Sequence, residues 1–167
     1  MRVIMYMAMT LNGMIAKRND ETPWLGPEWK AYNAMVRKTK NIIVGRRTYA
    51  IMKEDNEFKR CGNPFTIVVS RRGGANDKNT IFASSPVEAL SLLKDRGFKS
   101  ALVGGGGKLD GSFMRAGLVD EVYMDIEPFL FGNGIRLFSD VEFAKRLRLV
   151  GTKMLSKDEI QLHYRVI

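Results

Sequence analysis

Cysteine and histidine are almost absent from this chain: Cys61 and His163 stand alone among 167 residues. A single cysteine permits no internal disulfide and no thiolate metal cluster. A single histidine gives a zinc site or a Ser-His-Asp triad little to work with. His163 lies in Ile160-Gln161-Leu162-His163-Tyr164-Arg165-Val166, where apolar and polar residues alternate, so it belongs to the wetter face of a terminal strand. Long apolar runs are also missing, and none approaches the roughly 20 residues needed to span a bilayer. Residues 3–9 follow a single Arg2, lack a convincing cleavage site and lead straight into Thr10-Leu11-Asn12-Gly13. They form a buried first strand rather than a signal peptide, and a cytoplasmic location is the default expectation. No repeat, low-complexity tract or long linker interrupts the chain, so residues 1–167 are expected to fold as one domain.

What is abundant is positive charge. Lys and Arg number 27 against 18 Asp and Glu, a formal net charge of +9. Such an excess attracts phosphates, whether in a polymer or in a small molecule. Many of these cations (Lys30, Arg37, Lys38, Lys40, Lys94, Arg96) fall in helix-like stretches, where a solvated face explains them. No nucleic-acid motif accompanies them and the aromatics fall at core-like positions, which disfavours a nucleic-acid partner.

Apolar strand-like runs recur at 2–9, 41–45, 65–70, 100–104, 121–127, 146–155 and 159–166, with helical patterns between several of them. This order predicts a three-layer α/β sandwich with a mixed, mostly parallel sheet. Ser156-Lys157-Asp158 joins the last two runs as a C-terminal antiparallel hairpin. Ser85-Pro86-Val87-Glu88 has the form of a capping box, with Gly97 ending that helix. A helix opening at Gly26-Pro27-Glu28 carries Trp29, Tyr32 and Val36 on one face and ends in Arg37-Lys38-Lys40. A third runs from about Gly107 to Ala116, with Leu109, Phe113 and Ala116 inward and Gly117 as terminator.

Candidate chemistry gathers where strands end. Ala101-Leu102-Val103 runs into Gly104-Gly105-Gly106-Gly107-Lys108, and a helix follows at once. Without Cβ atoms the backbone can approach a ligand closely, and a helix N-terminus offers unpaired N–H groups to an anion such as a pyrophosphate. No G-x-G-x-x-G can be laid over residues 104–111, and Leu102 and Leu109 stand where a P-loop needs Gly and Ser or Thr. A second strand ends in Gly45-Arg46-Arg47-Thr48-Tyr49 and a third in Ser70-Arg71-Arg72-Gly73-Gly74. Arginine forks and serine hydroxyls suit phosphate, and in α/β sheets ligands gather at the carboxyl edge. Two basic sites beside one pyrophosphate site favour NADPH over NADH. Asn12-Gly13 makes a tight turn after the first strand, flanked by Ala8 and Ile15, small and apolar groups suited to a planar ring.

As an ordered set, Thr-Leu-Asn-Gly-x-Ile-Ala, Ile-Val-Gly-Arg-Arg-Thr-Tyr, Val-Val-Ser-Arg and Val-Gly-Gly-Gly resemble the dihydrofolate reductase superfamily. More closely the chain is similar to the reductase domain of riboflavin biosynthesis, on Gly117-Leu118-Val119-Asp120-Glu121-Val122 and Pro128-Phe129-Leu130-Phe131-Gly132-Asn133-Gly134. The resemblance implies NADPH as hydride donor, a small-molecule substrate of the phosphoribosylaminopyrimidine type with a pterin as the alternative, and a homodimer. By position it implies cofactor contacts at Gly45, Arg46, Thr48, Ser70, Arg71 and the glycines 104 to 107. Gly104 and Gly105 would lie beside the pyrophosphate, joined by a cis peptide. Ala8 and Ile15 match backbone contacts to the nicotinamide amide. Asp120 and Glu121 open a strand and hold the turn before it.

Two departures stand out. The riboflavin branch usually has Ser-x-Asp-Gly where this chain has Thr10-Leu11-Asn12-Gly13, and an amide excludes a charged role there. The helix start Trp24-Leu25-Gly26-Pro27-Glu28-Trp29 resembles the segment that supplies a proton-donating carboxylate, but counting back from Gly45 puts Trp29 at that position. Glu28 is therefore either the catalytic acid or a partner for the helix dipole. A partner subunit is expected at residues 128–138, on exposed Phe129, Phe131 and Leu137.

Overall fold

The computed structural model describes residues 1–24, 26–139 and 141–167. The first strand, β1 (Arg2–Thr10), is followed by the short β2 (Met14–Ala16) and by helix α1 (Gly26–Thr39). Next come β3 (Asn41–Gly45), α2 (Arg46–Glu54), the single turn α3 (Glu57–Arg60) and β4 (Phe65–Val69). The middle of the chain holds β5 (Thr80–Ala83), α4 (Pro86–Asp95), β6 (Ser100–Val103) and α5 (Gly107–Arg115). It closes with β7 (Glu121–Glu127), β8 (Ile135–Arg136), β9 (Leu147–Met154) and β10 (Ile160–Val166).

Eight strands form one sheet in the order β5-β4-β3-β6-β1-β7-β10-β9. Every pairing from β5 to β7 is parallel, while β10 runs antiparallel to both β7 and β9. The expected mixed sheet with a terminal hairpin is thus present. β2 and β8 pair apart from it as a two-stranded ribbon.

Period-two alternation builds the two outer layers. Val3 and Met5 face one side, where Ile43, Ile67 and Val103 join Ala89 and Leu93 of α4 and Leu109 and Phe113 of α5. Ile4 and Tyr6 face the other, where Ile42, Val44, Val68 and Leu102 join Val36 of α1 and Met52 of α2. Strands buried on both faces read as continuous apolar runs, which is why β1, β3, β4 and β6 are visible in the sequence.

The helix ends follow their punctuation. Ser85 caps α4, its side chain accepting from Glu88 N–H, and Gly97 follows the helix in the left-handed region. The reciprocal bond of the capping box shifts by one residue, because Glu88 accepts from the N–H and hydroxyl of Ser84. Gly117 ends α5 at φ +66°, but Ala116, expected inward, is exposed because it occupies the cap itself. Leu137 is buried rather than exposed, and Phe129 and Phe131 are half-buried against Trp24. The exposure expected of these three residues at 128–138 is therefore not met, and the exposed apolar side chain of the segment is Leu130.

β5, β2, β8 and α3 go unpredicted, being four residues or fewer and too short for a period to register. Asp120 does hold the turn before β7, since its Oδ2 accepts from Val3 N–H at 2.7 Å. His163 bonds Glu121 at 2.9 Å and stacks on Tyr123, a structural place on β10 between β7 and β9.

Asn41 shows how a polar side chain can hold the core together. It is fully buried at the start of β3, donates to the carbonyls of Thr39 and Ser100 at 2.8 Å each, and accepts from Leu102 N–H at 3.2 Å. Asn41→Ala leaves three backbone groups without partners in a dry interior. We expect a loss of about 3 kcal/mol, read in urea as a lower midpoint with an unchanged m-value; a midpoint within error of wild type would contradict the assigned role.

Candidate active site

β3 and β6 lie side by side, but the helices that follow them leave on opposite faces, α2 towards Met52's cluster and α5 towards Phe113's. That divergence opens a crevice at the carboxyl edge of the sheet, the general position for ligands in open α/β folds. A pocket of about 810 Å³ occupies it.

The two helices entering the pocket share an unusual start. Gly45 is the N-cap of α2 and Gly106 that of α5, and neither carries a capping side chain. Both positive poles thus open on the pocket and favour an anion, although Leu109 and Asp110 N–H of α5 are already given to the Gly106 carbonyl at 2.8 and 3.1 Å. Arg46, Arg47 and Thr48 open α2 and Lys108 opens α5, all lining the pocket. A dinucleotide with its phosphates against these helix starts and basic side chains fits the chemistry of the site.

Nearly all the sequence-predicted cofactor residues converge here. Ala8, Ile15, Gly45, Arg46, Thr48, Ser70, Arg71, Gly104, Gly106 and Gly107 all line the pocket. Gly105 is absent from the lining; its carbonyl accepts from Gly45 N–H at 2.9 Å and so ties the two strand ends together. The cis peptide falls between Gly105 and Gly106, one bond later than expected. Arg46 Nε donates to Ser70 Oγ at 2.8 Å and its Nη2 to the Gly73 carbonyl, bringing the α2 start and the loop after β4 into one wall. Arg47 is paired with Asp20 from the β2–α1 loop, a contact sequence reasoning missed.

The four glycines do different work. A Cβ on Gly106 would sit 3.2 Å from Thr48 Oγ1, on the pocket side. A Cβ on Gly104 or Gly105 would collide with Ile42 or Met7, each at 2.8 Å. A Cβ on Gly107 would lie 2.4 Å from the Arg136 carbonyl oxygen and 3.0 Å from that of Leu137. These are backbone atoms of the β8 segment and cannot swing aside.

Glu28 lies in the pocket while the backbone N–H of Trp29, in the same first turn, bonds its carboxyl, so both alternatives left open by the sequence stay open. Glu28 is 5% exposed and lines the pocket, with Oε2 lacking a hydrogen-bond partner among the described residues. Burial, and then the charges of Glu127, Asp125 and Glu159, push its carboxyl up to about 8. Trp29, the residue that counting back from Gly45 puts at the acid's position, lines the pocket beside it. Leu25, in the same stretch, lies outside the described residues.

The floor beside Glu28 is Tyr6, which sequence reasoning also missed. Its hydroxyl donates to Asp125 Oδ2 at 2.7 Å, and the Gln161 amide donates to Tyr6 Oη and Asp125 Oδ1 at 2.8 Å each. Burial raises the Asp125 carboxyl to about 6 despite these donors. Trp24, Trp29 and Tyr32 complete an aromatic wall around Glu28. Asp110, fully buried in α5, is held well above the usual carboxylate range by desolvation, with no hydrogen-bond partner for either oxygen among the described residues.

Sheet order and crevice together define an α/β fold of the dihydrofolate reductase type. Residues 1–160 match the family described as the RibD C-terminal domain, and the chain belongs to that family. It is 28% identical to YwjB, an uncharacterized protein of Bacillus subtilis (strain 168), over 98% of this chain and 97% of that protein. Among solved structures, a protein assigned to riboflavin biosynthesis in Shewanella sp. PV-4 superposes with a TM-score of 0.84 at 19% identity, covering 100% of this chain and 99% of that one. The diaminohydroxyphosphoribosylaminopyrimidine deaminase/5-amino-6-(5-phosphoribosylamino)uracil reductase of Thermotoga maritima gives 0.80 at 22% identity, over 99% of this chain and 56% of that larger one. Among the described residues, no helix is long and apolar enough to cross a membrane.

The packing around Gly107 makes its own prediction. Gly107→Ala must push β8 away from the start of α5. We expect a destabilisation of about 2 kcal/mol together with at least tenfold weaker nucleotide binding, measured by thermal unfolding and by titration; wild-type values for both would show that the close approach is not required.

Proposed function

We propose that this protein is an NADPH-dependent reductase that delivers a hydride to an electrophilic carbon of a nitrogen heterocycle or its attached sugar imine. One observation carries the reading: the starts of α2, with Arg46 and Arg47, and of α5 face a pocket that also holds the buried carboxyl group of Glu28. Membership of the RibD C-terminal domain family supports a substrate of the phosphoribosylaminopyrimidine type. The position of Glu28 supports a second reading, a pterin, because a buried acid beside a flat ring can both donate and accept.

When bound, NADPH supplies the hydride. The backbone around Ala8 and Ile15 orients the nicotinamide end, and the first turns of α2 and α5 hold the phosphates, with Arg46 and Arg71 at the extra one. Trp24, Trp29 and Tyr32 exclude water from the reacting atoms. Glu28 holds a proton at neutral pH, ready for the ring nitrogen next to the carbon that is reduced.

Two measurements test this. NADPH oxidation is followed side by side with dihydrofolate and with 5-amino-6-(5-phosphoribosylamino)uracil, and turnover of at least one is expected. Arg46→Ala and Arg71→Ala should each lower the preference for NADPH over NADH by about tenfold, equivalent to about 1.4 kcal/mol. If neither moves it, the 2′-phosphate lies elsewhere.

The acid makes a separate prediction. Because the Glu28 carboxyl is raised to about 8, it stays protonated at neutral pH and loses its proton as pH climbs past that value. Activity should fall on the alkaline side with that midpoint. Glu28→Gln should lower kcat by about 10²-fold or more and abolish this limb; an unchanged alkaline limb in the variant would assign it to another group.

A further inference from the structure

Strand β9, at the outer edge of the large sheet, is exposed at every residue from Leu147 to Met154 except the half-buried Gly151. Its register on β10 sorts the side chains by face. Leu147 pairs with Val166, Leu149 with Tyr164, Thr152 with Leu162 and Met154 with Ile160. Tyr164, Leu162 and Ile160 pair in turn with Val122, Met124 and Ile126, on the side of the sheet that carries the Phe113 cluster. Arg148, Gly151 and Lys153 pair with Arg165, His163 and Gln161 and stand on the opposite side, that of Tyr123. A bulge between His163 and Tyr164 leaves Val150 unpaired. The result is a row of aliphatic side chains, Leu147, Leu149, Val150 and Met154, between 39% and 57% exposed.

Alternation of apolar and polar residues along a strand belongs to a sheet with one covered face. On β10 the cover is present, since Leu162, Tyr164 and Val166 pack half-buried against the Phe113 cluster. On β9 it is missing among the described residues, and the bare patch is a few hundred Å² in size, the range that marks an interaction surface. Charge selects what covers it. The chain carries +9, yet the paired positions on this face of the hairpin include no Lys, Arg, Asp or Glu. An anionic polymer or bilayer would need cations and apolar groups on one side, whereas Arg148, Lys153 and Arg165 stand on the other. A second copy needs the reverse. A two-fold axis sets a patch against itself, so any charge within it would meet its own likeness. Edge-on pairing of two β9 strands is opposed by Arg148 and Lys153, which stand along that edge. We propose that a second copy of this chain packs face to face on the β9–β10 hairpin, sheet on sheet, through Leu147, Leu149 and Met154. None of these residues lines the pocket, so the contact is independent of what the pocket binds.

Analytical ultracentrifugation of the full chain at micromolar concentration should give a dimer, twice the 18.9 kDa of one chain. Leu149→Glu and Met154→Glu, both at exposed positions, should keep the wild-type circular dichroism and each weaken self-association at least hundredfold. Leu130→Glu is the control for the other location, residues 128–138, and should leave the dimer intact. A cross-link reads the contact in a chain without any added charge. Cys61 is the only cysteine and is buried, so Thr152→Cys, exposed on the proposed face, supplies the one reachable thiol. A short bismaleimide should then join two such chains, and should fail to do so when Leu149→Glu is added. A monomeric wild type overturns the proposal. So does a dimer unmoved by both glutamates, a dimer broken by Leu130→Glu, or a Thr152→Cys chain that does not cross-link. If either glutamate variant loses its fold, the cross-link of Thr152→Cys alone decides.

Discussion

The hydrogen bond from Gly45 N–H to the Gly105 carbonyl, 2.9 Å long, is where the geometry of this molecule converges. It continues the β3–β6 pairing one step past the strands, after the bond from Gly104 N–H to the Ile43 carbonyl, also 2.9 Å. Both chains must leave the sheet immediately beyond it, one to each face. α2 and α5 therefore begin within a few ångströms of one another and diverge, so their positive poles converge on one crevice. A residue with a side chain at 105 would displace the Met7 thioether and would have to hold φ +90°, a conformation L side chains rarely adopt. The anion-facing end of the pocket is thus a product of strand pairing rather than of a phosphate-loop motif.

A second constraint acts across β1. The chain is basic overall, yet Glu28, Asp110, Asp125, Glu127 and Glu159 are buried. Burying carboxylates costs more than a few hydrogen bonds return, so such groups go neutral instead. Burial is the first cause of the upward shifts at Glu28, Asp125 and Asp110. In Asp125 the charge is moderated by Tyr6 and Gln161, and the three side chains form a fixed polar floor. Glu28 has no such partner at Oε2 among the described residues. It is the member of this group best placed to exchange a proton with a ligand. The surface cations serve the opposite end of the same pocket.

Much of this was legible in the sequence, for physical reasons that also mark the limits. Strands buried on both faces, such as Ile42-Ile43-Val44, announce themselves because nearly every position is apolar. The junction residues Gly45, Arg46, Ser70 and Arg71 are visible because they sit where such runs stop. The glycine run was readable as a close approach, although its members serve unlike purposes: Gly106 faces the pocket, while Gly107 makes room for the backbone of Arg136. Glu28 could be named but not assigned, since only tertiary packing decides which first-turn side chain is buried. Tyr6 and Asp125 were hidden within strands, where a polar atom looks like one more alternation. Asp20, the partner of Arg47, lies in a loop with no period at all.

Asn12 shows why a departure from a family pattern need not signal a lost function. Its Nδ2 donates to the Phe131 carbonyl at 2.7 Å and its Oδ1 accepts from Phe131 N–H at 3.3 Å, so the side chain pairs with that backbone as a neighbouring strand would. Oδ1 also accepts from Thr10 Oγ1 at 2.8 Å. An ionised aspartate could make only the accepting contacts and would turn an oxygen towards the Phe131 carbonyl. The amide thus fixes Phe131, on whose ring Trp24 stacks with an interplanar angle of 7°. Trp24 in turn lines the pocket. The replacement of a charge by an amide at the first turn therefore reaches the pocket wall through one backbone clamp and one stacked pair. It adds no negative charge beneath the Trp24–Phe131 stack.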